Sequence, residues 1–260
     1  MRDLAYIGIT GVKTFDESKR LAQLVCDLRL PLTHRLMVGG LASYKSLRLG
    51  YVSDPMQYVL PTELNRVLVQ APQVLNIVHY NSKIEGLRGQ IADVLSVIHR
   101  AEGIQLNIPW PDPIILRAVK AELETTVILQ VSTKASEQLD HDPVRIAAKL
   151  AEYEGLIDFA LIDPSGGVGR GFEPKYAKDM LLTLVATELE IRWGIAGGLG
   201  PGRLSVLEPL LEIYPELSWD AQARLRKADR HSLDLGACEQ YLREGIALIR
   251  KLPGRASTLL

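Results

Sequence analysis

The stretch Ile191-Arg-Trp-Gly-Ile-Ala-Gly-Gly-Leu-Gly-Pro201 decides how this chain is interpreted. It reads as a short buried strand that ends at two glycines, with a helix expected to begin beyond Pro201. Because Gly197 and Gly198 lack a Cβ, their N–H groups can approach an anion closely, and a helix N-terminus would add its dipole. An isolated glycine pair is more often only a tight turn. The place of this strand in a series of similar strands favours an anion site.

Eight short apolar runs, rich in β-branched residues, alternate with segments of helical period along the chain. Asp112-Pro113 and Asp142-Pro143 each place an N-cap acid before a proline, which predicts two helix starts. This alternation is typical of parallel strands covered by helices, and the length of 260 residues fits the roughly 250 residues of a (β/α)₈ TIM barrel. We predict a single barrel of the ribulose-phosphate-binding type over residues 1–252 and a loose tail over residues 253–260. The predicted strands are residues 4–10, 35–40, 74–80, 103–108, 126–132, 157–163, 191–196 and 217–220.

Composition excludes several classes of function. The formal net charge is −1, so the chain lacks the basic field that nucleic-acid binding needs. No apolar run approaches the roughly eighteen residues of a membrane-spanning helix. The two cysteines and five histidines show no metal-ligand spacing. We therefore predict a soluble, cytoplasmic protein with no nucleic-acid or membrane partner, no cofactor and no metal; the pattern gives no indication of the oligomeric state.

A second glycine-rich segment, Asp163-Pro-Ser-Gly-Gly-Val-Gly-Arg-Gly171, follows the predicted sixth strand. Barrel active sites lie at the C-terminal ends of the strands, where Asp163 stands. A carboxyl in a pocket of low dielectric can have its pKa raised enough to transfer a proton. Asp163 is therefore the first catalytic candidate, and a turn or N-cap acid before Pro164 is the alternative. The long connection over residues 41–61 is a candidate substrate-covering loop.

Five motifs in chain order resemble those of the phosphoribosylanthranilate isomerase family. The motifs are Ile7-Gly-Ile-Thr10, Lys45-Ser-Leu-Arg48, Ile104-Gln-Leu-Asn107, Leu161-Ile-Asp163 with its glycine loop, and Ala196-Gly-Gly-Leu199. The resemblance implies an intramolecular isomerase of tryptophan biosynthesis, which performs the Amadori rearrangement of an aminoaldose phosphate. Its implied partner is a phosphorylated sugar or aminosugar.

The resemblance also implies roles for individual residues. Asp163 would be the general acid that protonates the ring oxygen, and Arg48 would pair with the substrate carboxylate through its bidentate guanidinium. Asn107 replaces the family's strand-four histidine in the substrate pocket, and it can form hydrogen bonds but takes no proton at neutral pH. The implied phosphate ligands are Gly167, Gly169, Gly197 and Gly198.

Three departures from the family pattern affect the expected chemistry: Asn107, described above, Ile7 and Arg224. Ile7 stands where the family has its cysteine base, so the base is expected elsewhere, at Asp220 or His79. Neither cysteine is expected to replace it, since the helical spacing predicts Cys26 to be a small core residue.

Arg224 stands where the family has a glycine after strand eight. It is predicted to bind phosphate through its side chain, with a solvated basic loop as the alternative. The function is therefore an isomerase with a non-standard base. The alternatives are a phosphate-ligand-binding barrel that has lost isomerase activity and a different sugar-phosphate reaction on the same fold.

Overall fold

The computed structural model describes residues 4–52, 54–163 and 173–252. Eight parallel strands form a closed barrel in chain order, in which the first strand pairs with the last. Each predicted strand is present, with ends that differ by up to three residues, so the (β/α)₈ barrel is confirmed. The predicted tail, residues 253–260, lies outside the described residues. The strands are β1 (Ala5–Thr10), β2 (His34–Ser43), β3 (Val74–Asn81), β4 (Gly103–Leu106), β5 (Thr126–Ser132), β6 (Phe159–Asp163), β7 (Arg192–Ala196) and β8 (Ser218–Ala221).

The helices cover the outside of the barrel. Both predicted helix starts are confirmed, because Asp112 accepts a hydrogen bond from the Ile114 N–H at 2.9 Å and Asp142 accepts one from the Val144 N–H at 2.8 Å. The α-helices are α1 (Phe15–Asp27), α2 (Tyr44–Arg48), α3 (Pro61–Val67), α4 (Leu87–Val97), α5 (Pro113–Glu122), α6 (Thr133–Glu137), α7 (Pro143–Ala151), α8 (Pro174–Val185), α9 (Glu208–Ile213) and α10 (Leu235–Lys251), with 3₁₀-helices at Leu204–Leu207 and Ala223–Leu225. No helix in these described segments has both the length and the apolar character needed to cross a bilayer.

The interior of the barrel is filled by one apolar cluster and the space between barrel and helices by another. In the interior, Tyr6 meets Phe159 edge to face at 5.1 Å between ring centroids. The interior cluster consists of Tyr6, Met37, Leu75, Ile77, Ile128, Phe159, Leu161 and Ala196. Because side chains alternate with a period of two along a strand, positions two residues beyond this cluster also face inward. On β3, β5 and β6 these positions are His79, Gln130 and Asp163, so a polar layer lies above the apolar one.

Candidate active site

A cavity of about 730 Å³ opens at the C-terminal ends of the strands. Its floor is the inward-facing polar layer, and its wall is formed by the segments after β7 and β8. Residues of the 41–61 connection, the candidate covering loop, line part of it, and the covering of a substrate by this loop stays a prediction. The residues that line the cavity include Asp54, Met56, Gln57, Tyr58, His79, Gln105, Asn107, Gln130, Asp163, Gly197, Gly198, Asp220, Arg224, Arg226 and Arg230.

Thr10 on the neighbouring strand β1 holds the Asp220 carboxylate on the cavity floor. The hydroxyl of Thr10 donates to both carboxylate oxygens of Asp220 at 3.0 Å and lies 3.1 Å from Nε2 of His79. A hydroxyl has one proton, so when Thr10 donates to an ionised Asp220, His79 must donate from Nε2 to Thr10. Strands β8, β1 and β3 thus contribute to one connected set of polar groups.

Two glycines make room for this set. A Cβ on Gly8 would lie 2.7 Å from Oδ1 of Asp220, and a Cβ on Gly39 would lie 2.6 Å from the Thr10 hydroxyl and 2.8 Å from Nε2 of His79. Either side chain would displace the hydrogen-bonded groups, since no real Cβ approaches a heavy atom so closely. The close approach of these strands therefore requires glycine.

The surroundings shift the pKa values of Asp220 and His79 in opposite directions. The pKa of Asp220 is raised to about 7, mainly by burial and to a smaller extent by the charge of Asp163, while the hydrogen bond from Thr10 opposes the change. Burial lowers the pKa of His79 to about 3. A neutral imidazole with so low a pKa is a weak proton acceptor, so of the two candidates for a relocated base, Asp220 is the better proton-transfer group at neutral pH.

Asp163 lies at the end of β6, as the sequence predicts, and it is only 4% exposed. The side-chain amide of Gln130 donates to Oδ2 of Asp163 at 2.7 Å. The amide of Gln105 in turn donates to Oε1 of Gln130 at 3.2 Å. Neither Gln130 nor Thr10 was predicted as a site residue, although Gln130 is a polar residue between apolar neighbours in β5, which is a signal for an inward-facing polar group.

The glycine pair after β7 lines the cavity. Gly197 and Gly198 have φ values of 108° and 66°, which a residue with a Cβ would adopt only under strain. The helix expected beyond Pro201 is a four-residue 3₁₀-helix that begins at Leu204, and the N–H of Gly202 before it already donates to the Glu244 carboxylate at 2.8 Å. The expected helix dipole is therefore not available there. Gly167 and Gly169 lie outside the described residues.

Three arginines after β8, the arginine segment, also line the cavity: Arg224, Arg226 and Arg230. Arg224 packs against the glycine segment, since a Cβ on Gly200 would lie 2.6 Å from its Cβ. Nη1 of Arg226 donates to the carbonyl of Met56 at 3.2 Å and to the carbonyl of Arg230 at 3.1 Å. Arg226 thus joins the arginine segment to the covering loop, whereas Arg224 and Arg230 are exposed, and phosphate binding by Arg224 stays a prediction.

Two of the residues taken from the resemblance lie in different surroundings. Asn107 lines the cavity and is exposed at its edge, just beyond β4. Arg48 is not among the residues that line the cavity, and its Nη2 pairs with Oδ2 of Asp93 on α4 at 2.6 Å. The Asn107 assignment stays a prediction, and the Arg48 assignment would require the guanidinium to leave Asp93.

Ile7 does not face the cavity. It alternates with Tyr6, which points into the barrel, and the Cδ1 atom of Ile7 lies 3.2 Å from where a Cβ of Gly245 on α10 would stand. The side chain therefore packs between the barrel and α10, and a cysteine at this position would not meet a ligand in the cavity. The absence of a titrating group at Ile7 thus has no direct consequence for the site.

Neither cysteine supplies a reactive group at the cavity. Cys26 is exposed on the outside of the barrel in α1, so the prediction of a core residue was wrong. Cys238 is buried in α10, and burial raises the pKa of its thiol to about 12. Within the described residues, no group of three or more metal-ligating side chains occurs.

Comparison with known proteins shows the fold. No family model matches the chain, and no curated protein matches it. Among solved structures, the tryptophan synthase alpha subunit from Legionella pneumophila str. Paris is 10% identical with a TM-score of 0.58, covering 96% of this chain and 93% of that one. A tryptophan synthase from M. tuberculosis in an aminoacrylate-bound form is 13% identical with a TM-score of 0.55, covering 96% and 94%. At these identities the likeness shows the TIM-barrel fold alone.

Proposed function

We propose that this protein catalyses an intramolecular isomerisation of a phosphorylated sugar or aminosugar, of the Amadori type that the motifs imply. The observation that carries the proposal is the pair of buried carboxylates, Asp163 and Asp220, on the floor of one cavity at the C-terminal ends of the strands. The raised pKa of Asp220 leaves it partly protonated and partly ionised near neutral pH. Such a group can give or take a proton at the pH of the cytoplasm.

The proposed roles are the reverse of those implied by the resemblance. When one site holds two acid–base groups, the environment of each decides its role, and the group with the raised pKa acts as the proton donor. Asp220 gives its proton to the ring oxygen as the bond between that oxygen and carbon 1 breaks. The lone pair of the nitrogen on carbon 1 forms a C=N bond as the ring opens. Asp163 then takes the hydrogen of carbon 2, the electron pair of that C–H bond forms the double bond between carbons 1 and 2, and the C=N pair returns to the nitrogen. The resulting enol becomes the ketose when carbon 1 gains a proton and the oxygen on carbon 2 loses one. Thr10 and His79 position Asp220.

The phosphate group is proposed to bind between the glycine pair and the arginine segment. Gly197 and Gly198 offer backbone N–H groups without a Cβ in the way, and Arg224, Arg226 and Arg230 bring positive charge to the same cavity. The alternative that Arg224 belongs to a solvated loop is weakened by its packing against Gly200. The assignments of Gly167 and Gly169 rest on the resemblance.

The test is turnover of aminoaldose phosphates, with loss of anthranilate-ring fluorescence as the readout for the substrate of the resembled family. Asp220→Asn and Asp163→Asn are each expected to lower kcat by a factor on the order of 10² to 10⁴. Asp179→Asn, on the exposed side of α8, is the matched control and should leave kcat unchanged. No turnover above a blank with any phosphorylated aldose or aminoaldose contradicts the proposal.

The pH profile separates the two role assignments. If Asp220 is the proton donor, kcat/KM falls as the pH rises through about 7, because the free enzyme loses the acid form. If Asp220 is the base, kcat/KM falls as the pH drops through the same value. The second profile would return Asp163 to the role of general acid.

The second candidate is a barrel that binds a phosphorylated ligand without isomerising it. The observation that favours it is the ion pair of Arg48 with Asp93, which keeps the expected carboxylate ligand away from the cavity. Thermal shift with phosphorylated sugars distinguishes the candidates. Binding without turnover supports this reading or a different sugar-phosphate reaction, and absence of binding counts against all of them.

A further inference from the structure

Three polar side chains on adjacent strands form a chain of hydrogen bonds across the cavity floor. Gln105 on β4 donates to Gln130 on β5 at 3.2 Å, and Gln130 donates to Asp163 on β6 at 2.7 Å. The register pairs Gln105 with Ile128 and Gln130 with Leu161, so each acceptor lies two residues beyond the donor's partner on the next strand. We call this set of three residues the amide chain.

The carboxylate fixes the direction of the amide chain. An ionised carboxylate only accepts hydrogen bonds, so Gln130 must turn its NH₂ group toward Asp163. Its carbonyl oxygen then faces Gln105, which must turn its own NH₂ group toward that oxygen. As a result, the carbonyl oxygen of Gln105 is directed away from the amide chain.

This carbonyl oxygen has no donor among residues 4–52, 54–163 and 173–252. The Gln105 side chain lines the cavity and is only 3% exposed. His79 is its register partner on β3, but Nε2 of His79 is directed at the Thr10 hydroxyl, 3.1 Å away. A buried acceptor without a donor is destabilising, and a ligand that donates to it recovers this free energy.

We propose that Gln105 is a specificity-determining residue, whose carbonyl oxygen selects ligands with an O–H or N–H donor on carbon 2. The inference rests on the proposed function, because it uses Asp163 as the group that acts on the hydrogen of carbon 2. The side chain of Gln130 lies between Gln105 and Asp163. A ligand whose carbon 2 lies at Asp163 therefore places the substituent of carbon 2 near Gln105. A hydroxyl and an amine share the required chemistry.

The test compares three hexose phosphates that differ only at carbon 2: glucose 6-phosphate, glucosamine 6-phosphate and 2-deoxyglucose 6-phosphate. Their dissociation constants are measured by calorimetry with the full chain. The wild type is expected to bind the hydroxyl or the amine form about tenfold or more tighter than the deoxy form. The form that gains the most identifies the natural donor.

Gln105→Met removes the acceptor and keeps most of the side-chain volume. It is expected to bring the ratio between the donor-bearing and deoxy ligands to about one to two. Gln222→Met is the matched control, because Gln222 also lines the cavity but is only half-buried, and it should keep the wild-type ratio. A purely structural role of Gln105 would weaken all three ligands equally and leave the ratio unchanged.

The outcomes separate the inference from the proposed function. Equal binding of all three ligands by the wild type overturns the inference and leaves the proposed function standing, whether or not the variant folds. An unchanged ratio in a folded Gln105→Met protein also overturns it. Absence of binding by any hexose phosphate overturns the proposed ligand class and the inference together.

Discussion

The substitution Asp220→Asn is expected to make the protein more stable than the wild type above neutral pH. Burial raises the pKa of Asp220 from 3.8 to about 7 in the folded protein, whereas the unfolded chain ionises at the ordinary value. The stability contributed by the protonated carboxyl is therefore fully present below pH 3.8 and is lost as the pH rises through about 7. Each pH unit between these values corresponds to about 1.4 kcal/mol, so the complete loss is about 4 kcal/mol.

Asp220→Asn removes this dependence because an amide does not ionise, while its oxygen still accepts a hydrogen bond from Thr10. Urea unfolding, followed by the fluorescence of the buried Trp219, measures the free energy of unfolding of both proteins. Between about pH 5 and about pH 8.5, the difference between variant and wild type should grow by about 2–3 kcal/mol in favour of the variant.

The difference in free energy of unfolding between the variant and the wild type cancels the contribution of His79 to the pH dependence. Burial lowers the pKa of His79 to about 3, so His79 destabilises both proteins as the pH falls below its ordinary value. Asp179→Asn, on the outside of α8, is the control and should show no such growth. A difference that stays constant with pH would show that Asp220 ionises like an exposed aspartate, and its role as proton donor would then be refuted.

Three further variants test the packing around the site. Ile7→Cys is expected to give no gain in isomerase activity over the wild type, because residue 7 packs against α10, and to cost about 1–2 kcal/mol in free energy of unfolding; a higher turnover in this variant would contradict the outward orientation. Gly39→Ala places a methyl group 2.6 Å from the Thr10 hydroxyl, so kcat should fall at least about tenfold. Gly89→Ala in α4, whose Cβ would make only an ordinary contact at 3.9 Å with Nη2 of Arg48, is its control and should instead stabilise the protein by about 0.5–1 kcal/mol in a urea titration. Glu17→Gln should lower the free energy of unfolding by about 2–3 kcal/mol, since the buried carboxylate accepts three backbone N–H bonds, one of them from the segment after β8. It should also weaken the binding of inorganic phosphate, measured by calorimetry. An unchanged phosphate affinity would show that Glu17 does not help to position the arginine segment.

The sequence by itself determined the strands and the barrel. Strand positions follow from local apolar runs, and the helix starts at Asp112 and Asp142 follow from local capping, so neighbouring residues are sufficient to predict both. Eight alternating units of this length then leave few alternatives to a closed barrel. The same reasoning placed Asp163, Asp220, Gly197 and Gly198 at strand ends, where the cavity lies.

Only the tertiary structure decided which of these groups act together. The hydrogen bond from Thr10 to Asp220 joins residues 210 positions apart, and it exists because β1 closes the barrel against β8. The same closure sets which face of β1 points inward, and it therefore removed Ile7 from the site and brought in Thr10. Local sequence fixes the alternation of side chains but not which alternate faces the interior when both are apolar.

The pairing of charges was also decided by the fold. Arg48 carries a family motif in the sequence, but α4 brings Asp93 within 2.6 Å of its guanidinium. Arg226 lies in a basic run that a solvated loop would equally explain, and the covering loop places the Met56 carbonyl beside it. The pKa of Asp220 depends on burial by the whole barrel, a property that no local segment of the chain carries. The residues of the site could therefore be listed from the sequence in part, while their chemistry came from the way the closed barrel desolvates and pairs them.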